Sequence, residues 1–310
     1  MRNTLLNAVA AASLLMAASP ALAKGGTWVA VVPVQNSTGM TLFGINDTNV
    51  TTGSYLDASG NDHGFIGPFD GKDYTSFDDP GGATEPRGIN DGSITDGYDT
   101  GTLDEWYRTA KGKLTAITMK GTQLTQLAQE INKAGVFAGD YTNTSGDYVG
   151  YLGKKSKYTS DIKLSISNTG YAGRAIDTAG DLGGWYLDSS GTMHGFLIMG
   201  KKATSIDYPD AVYTVVEGLN DNGLLTGQWE DSSGVIQGFV YDIKAKKFTD
   251  INYPGSTLTQ VWGINNNDVI AVSSSAGSFA YCMKKKNCPK GDAGVANTLH
   301  VNAKYTPAAP

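Results

Sequence analysis

The sequence predicts an all-β protein that folds as a six-bladed β-propeller. A unit of about 44 residues recurs six times between residues 27 and 285. Each unit contains four short strand-like runs separated by turn-forming residues, and the chain of 310 residues contains 40 glycines. Helical periodicity is nearly absent. Four-stranded blades in a ring fit this pattern better than a β-sandwich, which needs no fixed period.

The repeats align on the residue that precedes an Ile or Leu and then an Asn or Asp. They start at Gly44, Gly88, Glu130, Ala175, Gly218 and Gly263. The Asn or Asp two residues later is Asn46, Asn90, Asn132, Asp177, Asn220 or Asn265. Nine residues after the start a glycine recurs, except that the sixth repeat has Val272. Aromatic residues at the eleventh position (Tyr55, Tyr141, Tyr186 and Trp229) recur regularly and are expected to pack between blades.

Each repeat divides into four strands. In the first repeat the expected strands are 40–46, 50–55, 63–67 and 73–78, where apolar and polar residues alternate between Asx-Gly turns. The run 124–132 has helix-like composition but occupies the place of a strand in the other repeats. We therefore predict a strand there.

The last repeat lacks a clear fourth strand, and two segments compete to supply it. One is the N-terminal run 27–34, and the other is 298–305 near the C-terminus. We favour the N-terminal strand, which would close the ring by joining the two ends of the chain. The propeller is then expected over residues 24–288, with a C-terminal tail at 289–310.

The N-terminus has the pattern of a bacterial secretory signal. Arg2 precedes an apolar run at 5–18, and Pro20 and Ala-Leu-Ala at 21–23 follow. Cleavage is expected after Ala23, which gives a secreted or periplasmic protein, and no other stretch is long and apolar enough to span a membrane. The net charge of −6 and the lack of a basic stripe exclude nucleic acid as a partner. A monomer is expected.

The two cysteines, Cys282 and Cys288, are expected to form a disulfide in an oxidising compartment. The alternative is a pair of free thiols. A zinc site would need two more ligands nearby, and His300 is the only candidate. No metal and no cofactor are therefore expected.

Several short motifs recur along the chain: GIND or GLND, DSSG, HGF, and IDYP or INYPGST. This combination resembles the HAF-type bacterial extracellular repeat family over nearly all of the mature chain. The second and third repeats depart from HGF. The resemblance implies export and propeller blades. It implies no activity and no catalytic residue.

The recurring polar residues are best explained by structure. The Asn or Asp of each repeat start is expected to form an Asx-turn, with a polar ring near the axis as the alternative. Asp57, Asp188 and Asp231 precede Ser-Gly turns, and one Asp per blade is too few for calcium. His63 and His194 lie in opposite blades, so they cannot form a catalytic pair.

A ligand site is expected where the repeats differ, because positions that build the fold recur in every blade. The position before each repeat start holds Phe43, Arg87, Gln129, Arg174, Glu217 and Trp262. These side chains are expected to line the central channel, whose mouth is the usual ligand site of a propeller. The two arginines would hold a carboxylate, and Trp262 or Phe43 would stack on a sugar. Alternatively, this position points between the blades.

These observations favour a binding module for a glycan, peptide or cell-surface partner at the channel mouth. One alternative is an enzyme on an acidic polysaccharide: a lyase that uses Arg87 and Arg174, or a glycosidase that pairs Glu217 with Asp177 or Asp221. Another is a purely structural role. A deep pocket containing carboxylates of perturbed pKa would favour the enzyme, and a flat aromatic face would favour the binding module.

Overall fold

The computed structural model describes residues 26–288, except residues 72, 122 and 168. The predicted signal and the C-terminal tail lie outside the described residues. Six four-stranded antiparallel sheets surround a central axis and form a six-bladed β-propeller. The predicted fold class is confirmed.

The strands follow one another from the axis outwards within each blade. β1 (Thr27–Ala30) precedes the first blade, which comprises β2 (Gly39–Ile45), β3 (Val50–Leu56), β4 (Asp62–Pro68) and β5 (Thr75–Phe77). The second blade comprises β6 (Thr84–Ile89), β7 (Thr95–Asp99), β8 (Glu105–Arg108) and β9 (Leu114–Ala116). The third comprises β10 (Thr125–Ile131), β11 (Val136–Thr142), β12 (Tyr148–Lys154) and β13 (Lys157–Asp161).

The fourth blade comprises β14 (Gly170–Ile176), β15 (Leu182–Leu187), β16 (Met193–Met199) and β17 (Lys202–Ile206). The fifth comprises β18 (Tyr213–Leu219), β19 (Leu224–Glu230), β20 (Ile236–Asp242) and β21 (Lys247–Asp250). The sixth comprises β22 (Thr259–Ile264), β23 (Val269–Ser274), β24 (Gly277–Cys282) and the N-terminal β1. A short 3₁₀ turn, Lys285–Asn287, follows β24.

The ring is closed by the N-terminal strand, as predicted. β1 pairs antiparallel with β24, and Trp28 lies opposite Tyr281 in this pairing. The Trp28 ring packs on Tyr281 at 4.7 Å and on Tyr253 at 5.2 Å between centroids. The competing segment 298–305 lies outside the described residues. The disulfide between Cys282 and Cys288 is also formed, at the end of β24.

The helix-like run 124–132 forms the strand β10, which is paired with β11 except at a bulge at Gln129. The next strand of the same blade supplies that pairing, so tertiary context overrides the helix-favouring composition of the run.

The recurring glycine nine residues after each repeat start has a packing reason. A Cβ at Gly53, Gly184 or Gly227 would lie 2.0 Å from a carbonyl oxygen of the adjacent innermost strand. It would also meet the Phe ring of the Gly-Phe motif, which is fully buried in each of these blades (Phe65, Phe196 and Phe239). Gly and Phe are therefore one packing unit. The aromatic residues at the eleventh position join the hydrophobic clusters between blades, as predicted for Tyr186 and Trp229.

The Asn of each repeat start has two roles. Its side-chain oxygen accepts backbone N–H groups of its own turn, as in Asn46 with Thr48 and Val50, which is the predicted Asx-turn. Its amide group donates to the backbone carbonyl of the same position in the next blade. These donors and acceptors are Asn46 to Asn90, Asn90 to Asn132, Asn132 to Asp177, Asn220 to Asn265, and Asn265 to Asn46. We call this chain of contacts the asparagine ring.

Candidate functional site

A cavity of about 640 Å³ opens on the face where the innermost strands begin. We call it the funnel. Its volume lies within the range of small-molecule sites. Its floor contains Phe43, Arg174 and Glu217, its wall comes from the first two strands of the blades, and its rim includes Tyr55, Tyr148 and Tyr213.

The six residues predicted as channel-lining meet at the floor, and we call them the base ring. Each lies where the pairing of the innermost strand with its neighbour is interrupted by a β-bulge. A bulge inserts an extra residue and redirects its side chain. The base ring residues are Phe43, Arg87, Gln129, Arg174, Glu217 and Trp262. Contacts link these side chains to one another, and the contact of Arg87 with Glu217 crosses the axis. The alternative orientation, between the blades, is therefore not observed for these two residues.

Arg87 is the centre of the base ring. Its Nη1 lies 3.1 Å from Glu85 Oε1, and its Nη2 lies 3.8 Å from Glu217 Oε2. Its guanidinium also lies over the rings of Phe43 and Trp262, at 4.3 and 4.6 Å from their centroids. Arg87 is only 4% exposed, and burial at this level requires such partners.

Arg174 completes the floor on the other side. Its Nη1 donates to Gln129 Oε1 at 3.1 Å and lies 4.0 Å from Glu217 Oε2. Glu217 of the chain itself therefore occupies the position between the two arginines that we had expected a ligand carboxylate to take. Phe43 and Trp262 likewise pack on each other at 5.0 Å.

The base ring separates the funnel from a small basin on the opposite face. Arg87 and Glu217 come from opposite blades, so their contact crosses the axis. The basin, of about 60 Å³, is lined by the asparagine ring together with Asp91, Glu130 and Asp221. Asp177 and Asp221 line the basin whereas Glu217 lines the funnel, so the predicted glycosidase pairs are not formed. The reason is that Glu217 belongs to the base ring and faces the funnel, whereas Asp177 and Asp221 follow the innermost strands and face the basin.

The residues of the funnel wall were not predicted from the sequence. The tenth position after each repeat start, on the second strand, holds Ser54, Tyr98, Asp140, Trp185 and Gln228 in the first five blades. Two residues before the base ring, the innermost strand contributes Thr41, Glu85, Leu127, Val215 and Gln260. These positions also differ from blade to blade. Variation between blades, which identified the base ring, therefore also identifies these positions, because alternate residues of a strand face the same side of the sheet.

The funnel is rich in carboxylates. Asp62, Glu85, Asp140 and Glu217 line it, against Arg174. Burial, with the nearby charge of Glu85, raises the pKa of Asp62 to about 7. Burial also raises the pKa of Asp140 to about 6, although Arg174 and Arg87 act against it. Burial raises the pKa of Glu217, again opposed by the two arginines.

The atoms Asp140 Oδ1, Gln228 Nε2 and Tyr213 Oη belong to funnel-lining residues and have no hydrogen-bond partner among the described residues. Asp140 and Gln228 are 1% and 3% exposed. Because a buried polar atom without a partner is costly, these groups mark where a ligand would gain most from hydrogen bonds.

One part of the funnel, formed by the third to fifth blades, contains an apolar cluster with aromatic rings. Tyr148 and Trp185 pack edge to face at 5.3 Å, and Met193 and Tyr213 belong to the same apolar cluster. The carboxylates Asp62 and Glu85 come from the first and second blades, which face this cluster across the axis. We call this cluster the aromatic side and the part with Asp62 and Glu85 the acidic side. The division is not strict, because Phe43, Tyr55 and Tyr98 line the acidic side, and Asp140 and Glu217 come from the same blades as the cluster.

The other recurring polar residues lie away from the funnel. Asp57, Asp188 and Asp231 accept the backbone N–H groups of their own turns, as predicted. His63 and His194 each lie between two aspartates on the outer part of opposite blades. Within the described part of the chain, no group of three or more His, Cys, Asp or Glu residues is arranged to hold a metal. No helix there has the length and apolarity that a membrane span requires.

Comparison with solved structures returns other β-propellers. A gluconolactonase from Xanthomonas campestris matches with a TM-score of 0.51 and 10% identity, over 83% of this chain and 89% of that chain. TolB from Acinetobacter baumannii matches with a TM-score of 0.53 and 11% identity, over 76% of this chain and 63% of that chain. A six-bladed fungal lectin from Aleuria aurantia that recognises fucose matches with a TM-score of 0.41 and 10% identity, over 70% and 80% of the two chains.

At these identities the likeness shows the fold alone. No family model matches the chain, and no curated protein matches it by sequence. The resemblance to HAF-type repeats, and the export that it implies, stay predictions.

Proposed function

We propose that the protein is an exported binding module that accepts a glycan, free or on a surface partner, in the funnel. One observation carries this proposal. Side chains recur from blade to blade where they build the fold, but they differ at the positions that line the funnel. A propeller with a purely structural role needs no such difference.

The side chains that line the funnel are suited to binding a sugar. Aromatic rings such as Tyr148 and Trp185 offer apolar faces to the C–H groups of a sugar ring. Asp140 and Gln228 offer an acceptor and a donor to its hydroxyl groups. A cavity of about 640 Å³ has room for more than one sugar residue.

The geometry changes the class of glycan that is expected. Arg87 and Arg174 already contact Glu217, so neither offers a vacant place for a uronate carboxylate. A uronate would also approach Asp62, Glu85 and Asp140. The proposed ligand is therefore not acidic.

The test uses a rim residue whose loss should spare the fold. On a glycan array, the protein is expected to bind a defined set of sugars and Tyr148→Ala is expected to weaken that binding by about tenfold, because a stacked ring contributes about 1 kcal/mol or more. Tyr241→Ala is the matched control, since Tyr241 is also half-buried but packs on Phe248 away from the funnel. Equal loss in both variants, or no glycan binding at all, would contradict the proposal.

Arg87→Ala and Arg174→Ala are less suitable variants. Removing either arginine would leave Glu217 buried with one cation fewer, and breaking a buried ion pair costs about 3–5 kcal/mol. Lost binding would then report a damaged floor rather than a lost ligand contact.

A second candidate function is glycoside hydrolysis, favoured by the carboxylates of the acidic side. Asp62, with a pKa of about 7, would hold a proton near neutral pH, while Glu85 pairs with Arg87 and accepts the Tyr98 hydroxyl at 2.7 Å. Two carboxyl groups in different environments are what acid–base cleavage of a glycosidic bond requires. Release of reducing ends from a bound glycan, abolished in Asp62→Asn, would support the enzyme over the binding module.

A further inference from the structure

The funnel has an excess of negative charge that the chain does not balance. Four carboxylates line it, and the cations within reach are Arg174 in the lining and Arg87 in the base ring. These two cations contact Glu85 and Glu217. Asp62 and Asp140 have no ion pair within 4 Å among the described residues. Two carboxylates therefore remain for a partner outside the chain.

Asp140 is the more informative of the two. It is 1% exposed, it lines the funnel, and its Oδ1 has no hydrogen-bond partner among the described residues. Its blade equivalents are the uncharged Ser54, Tyr98, Trp185 and Gln228, so the propeller does not need an acid here. The charges of Arg174 and Arg87 offset only part of the cost of burying this carboxylate, so a ligand cation in contact with it would stabilise it further.

The aromatic side adds a second feature that suits a cation. The rings of Tyr148, Trp185 and Tyr213 lie across the axis from the acidic side. Aromatic faces attract ammonium groups, and most strongly where water is excluded. Asp140 comes from the third blade, as Tyr148 does, so a carboxylate and aromatic rings line the same part of the funnel. This combination recognises a positively charged group better than a neutral one.

We propose that the glycan bound in the funnel carries free amino groups, and that an ammonium group of the ligand lies between Asp140 and the aromatic side. This inference rests on the proposed function and names its substrate class. The chemistry indicated is that of a de-N-acetylated amino sugar. Asp62 and Glu85, on the acidic side, would contact a second amino group or hydroxyl groups of the same chain.

The test compares two glycans that differ only in charge. We would titrate the full chain with a chitosan tetramer and with the fully N-acetylated chitin tetramer, at near-neutral pH, where Asp140, whose pKa is about 6, is mostly ionised and the amines are still partly protonated. The chitosan tetramer is expected to bind about tenfold more tightly or better, because hydrogen bonds to charged groups are the stronger ones. High salt is expected to weaken the chitosan tetramer and to leave the chitin tetramer nearly unchanged.

Variants locate the ammonium group. Asp140→Asn is nearly isosteric and is expected to remove the preference for the charged tetramer while keeping the fold, which the thermal midpoint would verify. Asp73→Asn is the matched control, since Asp73 is exposed and lies outside the funnel lining. An unchanged preference in Asp140→Asn would overturn the assignment.

The remaining outcomes separate this inference from the proposed function. Equal or tighter binding of the chitin tetramer would overturn the inference and leave the glycan module standing. Absence of binding by any glycan would overturn both. Binding of a tetralysine peptide in place of either glycan would retain an ammonium ligand but overturn the glycan, and with it the inference as stated.

Discussion

At the scale of single residues, the two histidines of the Gly-Phe motifs show how one repeat position is held together in different ways. His63 lies 2.8 Å from Asp78 and 3.4 Å from Asp57, and its ring stacks on Tyr55. His194 has the same arrangement with Asp207 and Asp188. The fifth blade has Gln237 instead, which donates to Asp231 and accepts from Asn252. Two blades therefore use a histidine where an amide side chain suffices in a third.

These histidines predict a pH dependence of stability. The hydrogen bond to Asp78, with the Asp57 contact, raises the pKa of His63 despite some burial. Burial lowers the pKa of His194, but Asp207 and Asp188 together raise it above its usual value. A folded-state pKa above the unfolded one gives stability that is complete below the usual histidine pKa. That stability is lost as pH rises through the folded pKa.

The variant His63→Gln/His194→Gln should remove this dependence. Thermal midpoints measured from mildly acidic to mildly alkaline pH are expected to fall by a few degrees in the parent protein and to stay nearly level in the variant. Each single variant should show an intermediate fall, which serves as the control. A parallel fall in all four proteins would mean that other groups cause the dependence.

At the scale of strands and turns, the asparagine ring is interrupted at one point. Asp177 accepts from Asn132 through its backbone, but its carboxylate cannot donate to Asn220 as an amide would. Burial, with the charges of Asp181 and Asp221, raises the pKa of Asp177. The contact between the fourth and fifth blades relies instead on Thr178, which donates to both carboxylate oxygens of Asp221 at 2.9 Å.

Asp177→Asn should complete the ring and stabilise the protein by about 1 kcal/mol, the typical contribution of a hydrogen bond. Urea denaturation at neutral pH would measure the change. Asn90→Asp is the matched control: it breaks the link to Asn132 and should lower stability by a similar amount. The gain in Asp177→Asn should shrink at acidic pH, because a protonated Asp177 is itself a donor. A gain that is constant with pH would argue against this account.

The strands and turns also show what the sequence allows to be predicted. The blade repeat, the Asx-turns and the glycine of the second strand can be predicted, because the local sequence signals for them occur independently in most of the repeats. The contact between Arg87 and Glu217 could not be predicted in this way, because it depends on β-bulges and on which blades face each other across the axis. Asp140 and Trp185 were not predicted to line the funnel, because the recurring aromatic residue that follows each of them indicates only which face of the strand packs between blades.

At the scale of the whole molecule, the sixth blade is built from both ends of the described chain. Trp28→Ala should lower the free energy of unfolding by about 2–4 kcal/mol, because a large aromatic is lost from the contacts that hold β1 on β24. Phe77→Ala is the control: Phe77 lies on the outermost strand of the first blade and packs on Trp106, but that strand closes no ring. Both losses are measurable by urea denaturation.

The two variants should differ in cooperativity. Opening the ring at β1 exposes an edge of the sixth blade, so Trp28→Ala is also expected to increase cleavage by a protease under native conditions, whereas Phe77→Ala should not. Equal susceptibility in the two variants would mean that β1 is an ordinary outer strand.

The pairing of β1 with β24 also has a kinetic consequence. Thr27 meets Cys282 across almost the entire described chain, so this contact has one of the largest sequence separations in the molecule. The entropic cost of closing so long a loop must be overcome before the contact contributes any stabilising free energy, and folds with such contacts assemble slowly. Among the described strands, β1 is therefore synthesised first and finds its partner last. Until the sixth blade has formed, the unpaired edge of β1 can pair with strands of other chains.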